Sequence, residues 1–243
     1  MSGVRRVVSL VPSLTEAVAV SAPGLLVGVT DWCTHPPDLG GAVRIGGTKN
    51  PDVRRIAELR PDLVIANEEE NRAPDLAALR AAGLEVLLTE VRDLPQALRE
   101  LDRLLVGVLG LTRPGWLADA EAAWARAAEP AAFVTAFVPV WRRPWMVLGR
   151  DTFAGDVLAR LGVRNVYAGH TERYPRISVE ELAASGCDLV VLPDEPYRFT
   201  AADGPEAFPG MPAALVSGRH LTWYGPSLAE APAVLAQALR EAR

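Results

Sequence analysis

The feature that most constrains the fold of this chain is an internal repeat. The segment VRRIAELRPDLVIANEE at 53–69 returns without a gap as VEELAASGCDLVVLPDE at 179–195. Each copy consists of a short amphipathic stretch, a turn and an unbroken apolar run, at Leu63–Ala66 or Leu189–Leu192. Such a run is typical of a strand that is covered on both faces. Two widely spaced helix–strand units predict two similar α/β lobes with parallel sheets.

The length of the chain allows this division. With 243 residues it can form two lobes of about 100 residues each, and each lobe can have its own core. Apolar residues recur at helical spacing over 94–109, and a second helix is predicted over 114–129. We therefore expect an N-terminal lobe at 1–93, a helical connection at 94–130 and a C-terminal lobe at 131–243.

The opening segment predicts a strand, a tight turn and a helix. The strand covers 7–11, and Ser13 followed three residues later by Glu16 has the pattern of a capping box at the start of the helix. A second strand at 25–30 leads directly into a proline-containing loop that carries Trp32. Because ligands bind near the carboxyl ends of parallel strands, this tryptophan is well placed for binding.

The second lobe is expected to repeat this arrangement. A strand at 145–148 restarts the lobe, and a helix at 153–161 follows it after a turn. Near the C-terminus the adjacent residues Trp223 and Tyr224 come after another predicted strand. The pattern therefore places aromatic residues at strand ends in both lobes.

Composition excludes some classes of function. Lys and Arg number 25 against 30 Asp and Glu, a net charge of −5, which disfavours a nucleic-acid groove. The two cysteines, Cys33 and Cys187, fall in different predicted lobes and are expected to be free thiols. Neither a signal peptide nor a membrane span is recognisable, so we expect a cytoplasmic monomer, or a periplasmic or surface-anchored protein if a leader was removed.

Recognisable catalytic motifs are absent. The chain contains no GxxxxGK[ST], HExxH or GxSxG pattern, and the pair Cys33 and His35 is a weak zinc signal. We predict no catalytic residue and no bound metal. The acidic run Glu68–Glu70 fits a solvated loop as well as a docking, metal or catalytic site. An enzymatic alternative, a chelatase-like metal-processing protein, would use His35 with one of these carboxylates.

Four aromatic residues lie in predicted loops and not on apolar faces: Trp32, Tyr174, Trp223 and Tyr224. Together they indicate a stacking surface for a large, partly apolar ligand. Each of them taken singly fits a core anchor equally well.

Seven segments in order carry a resemblance to a known family: SLVPSLTE, VGVTDWCTHPP, IGGTKNP, RPDLVIANEEENR, RYPRISVEELAA, LPDEPYRF and LTWYGPS. They resemble the helical-backbone (class III) substrate-binding proteins of ABC importers, most closely the cobalamin-binding type. The resemblance covers nearly the whole chain. It implies an α/β fold with two Rossmann-like lobes, each with a parallel sheet, joined by a single long backbone helix.

The resemblance also implies a function and a site. In that family a corrinoid lies in the cleft between the lobes, and the chain has no intrinsic cofactor. The positions that match ligand-binding positions of the family are Ser13, Trp32, Thr48, Lys49, Asn50, Phe153, Tyr174, Trp223 and Tyr224. Ser227 stands where the family often has arginine.

Docking to an importer is a second implication of the resemblance. Cobalamin-binding relatives use a carboxylate on each lobe to meet arginines of the transporter. The matching positions here are Arg54 and Glu180, so that one of the two is basic. We therefore expect docking through Glu180, with Asp52 or Glu58 in place of the second carboxylate.

The leading hypothesis is a non-enzymatic protein that holds a cobalamin-like corrinoid for ABC-type uptake or intracellular carriage. The first alternative is binding of haem, a siderophore or another metal chelate in the same cleft. The chelatase is the alternative of another class.

Overall fold

The computed structural model describes residues 3–127 and 132–242. The chain forms two compact units. Unit 1 contains the described residues up to Val91, then Pro95–Ala118 and Tyr224–Pro226; unit 2 contains Arg92–Leu94, Asp119–Trp223 and the described residues from Ser227 onward. The expected limit between residues 130 and 131 lies outside the described residues, and the lobe boundaries stay a prediction.

Unit 1 is built around a parallel sheet. Its strands are β1 (Val7–Ser9), β2 (Leu26–Val29), β3 (Val43–Arg44), β4 (Gly46–Gly47), β5 (Asn50–Pro51), β6 (Leu63–Asn67) and β7 (Val86–Thr89), and its first helices are α1 (Pro12–Ser21), α2 (Val53–Glu58) and α3 (Ala73–Ala81). The sheet has the order β3-β2-β1-β6-β7, and every pair in it is parallel. This is the first part of the Rossmann strand order, and it confirms the expected fold class for this lobe. Strands β4 and β5 form a separate antiparallel hairpin.

The core of unit 1 lies on both faces of the sheet. All five residues of β6 are buried, as the apolar run predicts. Helix α1 is buried along most of its length and starts with Pro12, a residue that suits the first turn because it needs no N–H partner. The predicted capping box is wrong: Val11 is the N-cap residue and no side chain caps the helix, since the helix begins before Ser13.

Two helical segments follow unit 1's sheet. Helix α4 (Leu94–Asp102) continues as a π-helix over Arg103–Val108, which confirms the helix expected at 94–109. Helix α5 (Gly115–Arg126) contains the boundary between the two units, at Ala118 and Asp119. Residues 128 and 129, the end of the predicted second helix, lie outside the described residues.

Unit 2 contains a second parallel sheet. Its strands are β8 (Val134–Phe137), β9 (Pro139–Arg142), β10 (Trp145–Val147), β11 (Val163–Asn165), β12 (Leu189–Pro193) and β13 (Ala213–Val216), and its helices are α6 (Phe153–Arg160), α7 (Val179–Ala183), α8 (Gly218–Thr222) and α9 (Ala231–Glu241). The sheet order is β11-β8-β12-β13, again with parallel pairs only. The strand expected at 145–148 exists as β10, but it pairs with β9 in an antiparallel hairpin. The first strand of the sheet is β8, which the sequence interpretation did not recognise.

The repeat found in the sequence is a structural repeat. Helix α2 with strand β6 corresponds to helix α7 with strand β12, and both strands are buried throughout. Equivalent aspartates join each copy to the start of the neighbouring strand in the sheet, β1 or β8. Asp62 accepts hydrogen bonds from the backbone N–H groups of Arg5 and Arg6, at 2.8 and 2.9 Å. Asp188 accepts two from Thr135, both at 2.7 Å, so the same residue has the same structural role in each unit.

Candidate functional site

The sheet topology indicates where each unit can bind a ligand. In open parallel sheets, binding sites lie at the carboxyl ends of the strands, at the point where connections leave a strand in opposite directions. In unit 1 this point lies between β1 and β6, and in unit 2 it lies between β8 and β12. Most of the site residues expected from the sequence follow these strands or face the loops that do.

Ser13 and Tyr224 meet at the carboxyl end of β1. Ser13 lies in the first turn of α1, and Tyr224 belongs to the short segment of unit 1 that comes from the C-terminal part of the chain. Both are buried, with 2% and 6% of their surface exposed. The segment at Tyr224 packs on α1, since a Cβ atom added to Gly225 would lie 2.9 Å from the backbone oxygen of Ser13. Glu70, which follows β6, acts electrostatically on Tyr224. The structure therefore brings together two of the expected residues and adds Glu70, which the sequence analysis considered only in the acidic run and for the enzymatic alternative.

Glu70 has an unusual protonation state. Burial, and next the charge of Glu69, raise the pKa of its carboxyl group to about 8, against the opposing effects of Lys49 and of the hydrogen bond with Tyr224. Part of the residue surface stays exposed, although protein atoms surround the carboxyl group. The pKa of Tyr224 is also raised, first by burial and then by Glu70. At neutral pH the carboxyl and phenol groups are both neutral, so they offer hydrogen-bond donors as well as acceptors.

The expected residues Thr48, Lys49 and Asn50 form and follow the turn of the β4–β5 hairpin. The Asn71 side-chain amide donates to the backbone oxygen of Thr48 at 3.0 Å. The Lys49 ammonium donates to the backbone oxygen of Glu69. These bonds attach the hairpin to the loop after β6, while Lys49 and Asn50 themselves remain exposed.

Trp32 lies in the loop that follows β2 and is the most exposed of the expected aromatic residues. Its exposed fraction is 66%. This is unusual, because burial of an indole ring away from water is favourable. The backbone of Gly47 is close to the ring, because a Cβ atom added to Gly47 would lie 3.5 Å from the indole nitrogen. One side of the tryptophan thus faces the β4–β5 hairpin.

Trp223 is a buried aromatic residue of unit 2. Its indole N–H donates to the Glu195 carboxylate at 3.0 Å, and Glu195 follows β12 as Glu69 follows β6. Burial, then the charge of Asp194, raises the pKa of Glu195. The expected strand before Trp223 is wrong: the residue follows the short helix α8.

The start of α8 packs directly on the Glu195 backbone. A Cβ atom added to Gly218 would lie 2.6 Å from the backbone nitrogen of Glu195, so only glycine fits there. The Gly218 N–H also donates to the Asp194 carboxylate, at 2.6 Å. This close contact places Trp223 within reach of Glu195.

Phe153 and Tyr174 lie near the start of α6 in unit 2. Phe153 is buried as the first residue of the helix, and Tyr174 is half-buried in the loop before α7. That loop is held by Arg173, whose backbone oxygen accepts from Gly149 N–H at 2.8 Å and whose guanidinium donates to the backbone oxygen of Asp151 at 3.0 Å. The structure thus brings the segments at 149–153 and 172–174 together.

The expected docking residues lie on the equivalent helices of the repeat. Glu180 is exposed in the first turn of α7. Asp52 is exposed as well, but its carboxylate caps α2 by accepting from the Arg55 N–H at 2.9 Å. Arg54 forms an exposed ion pair with Glu58 at 3.0 Å. Docking through Glu180 and Asp52 stays a prediction.

Other sequence expectations concern chemistry outside these strand ends. Cys33 and Cys187 are free thiols, as predicted. Ser227, which stands where the family often has arginine, is buried at 1% exposure. In the part of the chain that the structure describes, no group of three or more His, Cys, Asp and Glu side chains is arranged to hold a metal ion. Over the same residues, no helix has the length and apolar character needed to cross a membrane.

Several proteins are similar to this chain in sequence. A vitamin B12-binding protein of Pectobacterium carotovorum is 22% identical over 204 residues, which cover 81% of this chain and 74% of that protein. A vitamin B12-binding protein of Vibrio cholerae (strain O395) is 25% identical over 186 residues, covering 73% of this chain and 66% of the relative.

Solved structures share the fold. The periplasmic vitamin B12-binding protein BtuF of Vibrio cholerae matches with a TM-score of 0.77 at 19% identity, over 99% of this chain and 98% of that chain. A periplasmic heme-binding protein of Pseudomonas aeruginosa matches with a TM-score of 0.76 at 27% identity, over 97% and 92%. These matches confirm the fold class.

A family model gives the assignment of the chain. The model described as periplasmic binding protein matches residues 7–206, which include both sheets up to β12 and both copies of the repeat. This match confirms the resemblance found in the sequence. The chain belongs to the periplasmic binding protein family.

Proposed function

We propose that this protein binds a cobalamin-like corrinoid and presents it to an ABC importer. The observation that carries the proposal is the similarity to vitamin B12-binding proteins along most of the chain, 81% of it for the Pectobacterium relative. The matched family and these relatives are named as binding proteins. We accordingly assign the chain a role in binding and none in catalysis.

The residues at the strand ends suit such a ligand. A corrinoid presents a broad, partly apolar ring face with amide groups around its rim. The exposed indole of Trp32 offers a surface for stacking against the ring face. The hairpin side chains of Lys49 and Asn50 are exposed and polar, and they suit the amide rim. In unit 2, Tyr174 and the loop at 149–153 are the proposed ligand-binding groups.

We also propose a compartment. The family is described as periplasmic, and the expectation of a cytoplasmic protein finds no support in the relatives. In our proposal the chain acts outside the cytoplasmic membrane, where Glu180 and Asp52 are the groups that meet basic residues of an importer.

Haem is the second candidate ligand. The observation that favours it is the fold similarity to the heme-binding protein of Pseudomonas aeruginosa, which has a higher identity, 27%, than BtuF of Vibrio cholerae, 19%. Haem is also a flat tetrapyrrole, so an exposed tryptophan and polar loops suit its face and its propionates.

A competition experiment separates the two ligands. The purified protein is incubated with equal concentrations of cyanocobalamin and hemin, unbound ligand is removed by gel filtration, and the visible spectrum of the protein fraction is recorded. The proposal predicts the corrinoid spectrum. A haem spectrum with no retained corrinoid would contradict the proposal and support the second candidate. Serum albumin binds hemin but is not a corrinoid-binding protein. It serves as the reference for non-specific retention of hemin.

A further inference from the structure

Three helices of unit 2 line one pocket. The pocket has a volume of about 440 Å³ and lies between α5, the end of α6 and α9. All of its lining residues belong to unit 2. Each of the three helices contributes one arginine to the lining: Arg126, Arg160 and Arg240. The pocket therefore combines a cavity with three positively charged side chains from separate elements.

The pocket lies at the amino ends of the strands in the sheet of unit 2. Leu161 of the lining follows the last residue of α6, and the chain enters β11 at Val163. Val163 pairs with Val134, the first residue of β8, and the Val134 N–H donates to the backbone oxygen of Gly162 at 2.9 Å. The proposed corrinoid-binding groups are at the carboxyl ends of strands, so the pocket lies at the other end of this sheet.

The rest of the lining is apolar. It consists of Ala123 and Ala127 of α5, Leu161, and Pro232, Ala233 and Ala236 of α9. Within the described ranges 3–127 and 132–242, no acidic residue lines the pocket. The pocket thus suits a molecule with an anionic group and a partly apolar body.

Acidic side chains of α6 and α9 are bonded outside the lining. Asp156 accepts from the Arg160 Nε–H at 2.8 Å and from the Leu94 N–H at 2.9 Å. This bond uses one of the five N–H groups of the guanidinium, so the terminal nitrogens of Arg160 can still donate to an anion. On α9, Glu241 accepts from the Gln237 side chain at 2.9 Å. Neither carboxylate is part of the pocket wall.

Helix dipoles explain one part of this arrangement. All three arginines lie in the last turn of their helices, where a positive charge interacts favourably with the helix dipole. Arg80 has the same position in α3, but it does not line the pocket. The dipole therefore accounts for an arginine at each helix end, and it does not require three of them to line one cavity.

We propose that this pocket binds a phosphate monoester with a partly apolar body. Such a group has three terminal oxygens and nearly two negative charges at neutral pH, and arginine binds phosphate oxygens through paired N–H groups. The volume falls within the range of small-molecule pockets, about 300–1,000 Å³, so the pocket has room for more than a bare phosphate ion. Free organic phosphates and the headgroup of phosphatidic acid share this chemistry.

An NMR titration of the ¹⁵N-labelled protein with phenyl phosphate tests the proposal. Phenyl phosphate joins a phosphate monoester to an apolar ring. We expect a Kd below about 1 mM, and weaker binding of inorganic phosphate, which leaves the apolar lining unused. Added salt should weaken binding, because the arginines are exposed and salt screens their charges. Unchanged spectra up to about 10 mM phenyl phosphate would overturn the proposal.

Substitution of single arginines locates the bound phosphate. Arg126→Gln and Arg240→Gln should each raise the Kd by about tenfold, because each removes a charged hydrogen-bond donor. Both side chains are exposed, so these changes should leave the fold intact. Arg80→Gln removes a last-turn arginine outside the pocket and should bind as the wild type does. An equal loss of affinity in Arg80→Gln, or no loss in either pocket variant, would place the phosphate elsewhere and overturn the proposal.

Sedimentation with vesicles distinguishes the two sources of the phosphate. Vesicles of equal parts phosphatidylcholine and phosphatidic acid are compared with vesicles of phosphatidylcholine alone. Binding to the first kind only, with loss in the double variant Arg126→Gln and Arg240→Gln, would identify the lipid headgroup. Binding of phenyl phosphate without sedimentation would identify a free phosphate ester. The chain has a net charge of −5, which disfavours general attraction to an anionic surface.

The same variants separate this site from the corrinoid site. Because the pocket lies at the opposite end of the sheet, Arg126→Gln and Arg240→Gln should leave the affinity for cyanocobalamin unchanged. Loss of phenyl phosphate and cyanocobalamin binding together would contradict a separate pocket. A wild-type protein that binds phenyl phosphate but not cyanocobalamin would refute the proposed function and support the phosphate site.

Discussion

At the scale of single residues, the two copies of the repeat form the same turn with different residues. Gly186 adopts a left-handed backbone conformation, with φ of 68°, before strand β12. The equivalent residue before β6 is Arg60, which adopts φ of 46° despite its side chain. Glycine reaches this region without the Cβ clash that costs other residues about 1–2 kcal/mol. Unit 1 therefore carries strain at a position where unit 2 has none.

This difference predicts unequal effects of substitution at the two positions. Gly186→Ala should lower the free energy of unfolding by about 1 kcal/mol, because no neighbouring atom lies within 4 Å of the added Cβ and only the backbone conformation opposes it. Arg60→Gly should lower it by less, or raise it. Urea unfolding followed by circular dichroism measures both, with Gly169→Ala as a control at an open site without positive φ. A Gly186→Ala variant as stable as the wild type would refute the argument.

The equivalent aspartates predict a pH dependence. Hydrogen bonds from the Arg5 and Arg6 N–H groups lower the pKa of Asp62 below its ordinary value of 3.8. A lowered folded-state pKa means that the stabilisation is complete above the unfolded-state pKa and is lost as pH falls through the folded-state pKa. Asp62→Asn should therefore be less stable than the wild type at pH 7. The difference in stability between the two proteins should become smaller below pH 3.8. Thermal unfolding from about pH 2.5 to neutrality measures this gap.

The same experiment in unit 2 is the comparison. Asp188 has a lowered pKa because it accepts from the backbone N–H of Thr135 and from its hydroxyl. The difference in stability between Asp188→Asn and the wild type should have the same sign and should become smaller over the same pH range. A gap that stays constant down to the lowest pH in both variants would exclude the ionised carboxylates as its source.

At the scale of elements, the short segment Tyr224–Pro226 joins a C-terminal part of the chain to unit 1. Gly225 permits this, because its backbone approaches the Ser13 backbone oxygen more closely than a side chain allows. The contact is with the backbone of a buried helix, which cannot move aside as the end of a flexible side chain can.

Gly225→Ala should therefore displace this segment. Overpacking of this kind costs about 1–3 kcal/mol, and we expect a decrease of that size in the free energy of unfolding. Faster hydrogen exchange at residues 222–226 should accompany it. Gly115→Ala is the matched control, since a Cβ atom there meets no neighbour within 4 Å. Unchanged exchange in Gly225→Ala would contradict the close packing on α1.

The sequence predicted elements with a strong local pattern and failed where the pattern was weak. The apolar runs of β6 and β12 identified buried strands because each run is bounded by turn residues. The first strand of unit 2, β8, is short and follows residues 128–131 without a comparable signal. Helix α8 has only five residues, and the neighbouring tryptophan and tyrosine made it look like a strand.

The site residues stay a prediction. Aromatic residues in predicted loops singled out Trp32, Trp223 and Tyr224 as candidates for ligand contact. The electrostatic effect of Glu70 on Tyr224 could not be predicted, since the two residues lie far apart in the sequence and no local pattern connects them. Burial of Phe153 and of Tyr224 also depends on tertiary packing, which residue type alone does not reveal.

At the scale of the whole molecule, a duplicated α/β unit gives two sheets whose strand ends carry aromatic and polar side chains. Each unit has its own core and its own switch point in strand order. The binding proposal needs only these strand ends, and no metal, nucleotide or covalent chemistry. Substitution of the exposed Trp32 separates an effect on ligand binding from an effect on stability, because this residue contributes little to the core.

The most direct measurement is a calorimetric titration of the protein with cyanocobalamin at pH 7, repeated with Trp32→Ala. We predict submicromolar binding by the wild type. Loss of the exposed indole should raise Kd by at least about tenfold, as for an aromatic residue at the centre of a contact. The free energy of unfolding should change by no more than about 0.5 kcal/mol, as for an exposed residue. Absence of binding heat with the wild type, or equal affinity in the two proteins, would contradict the account.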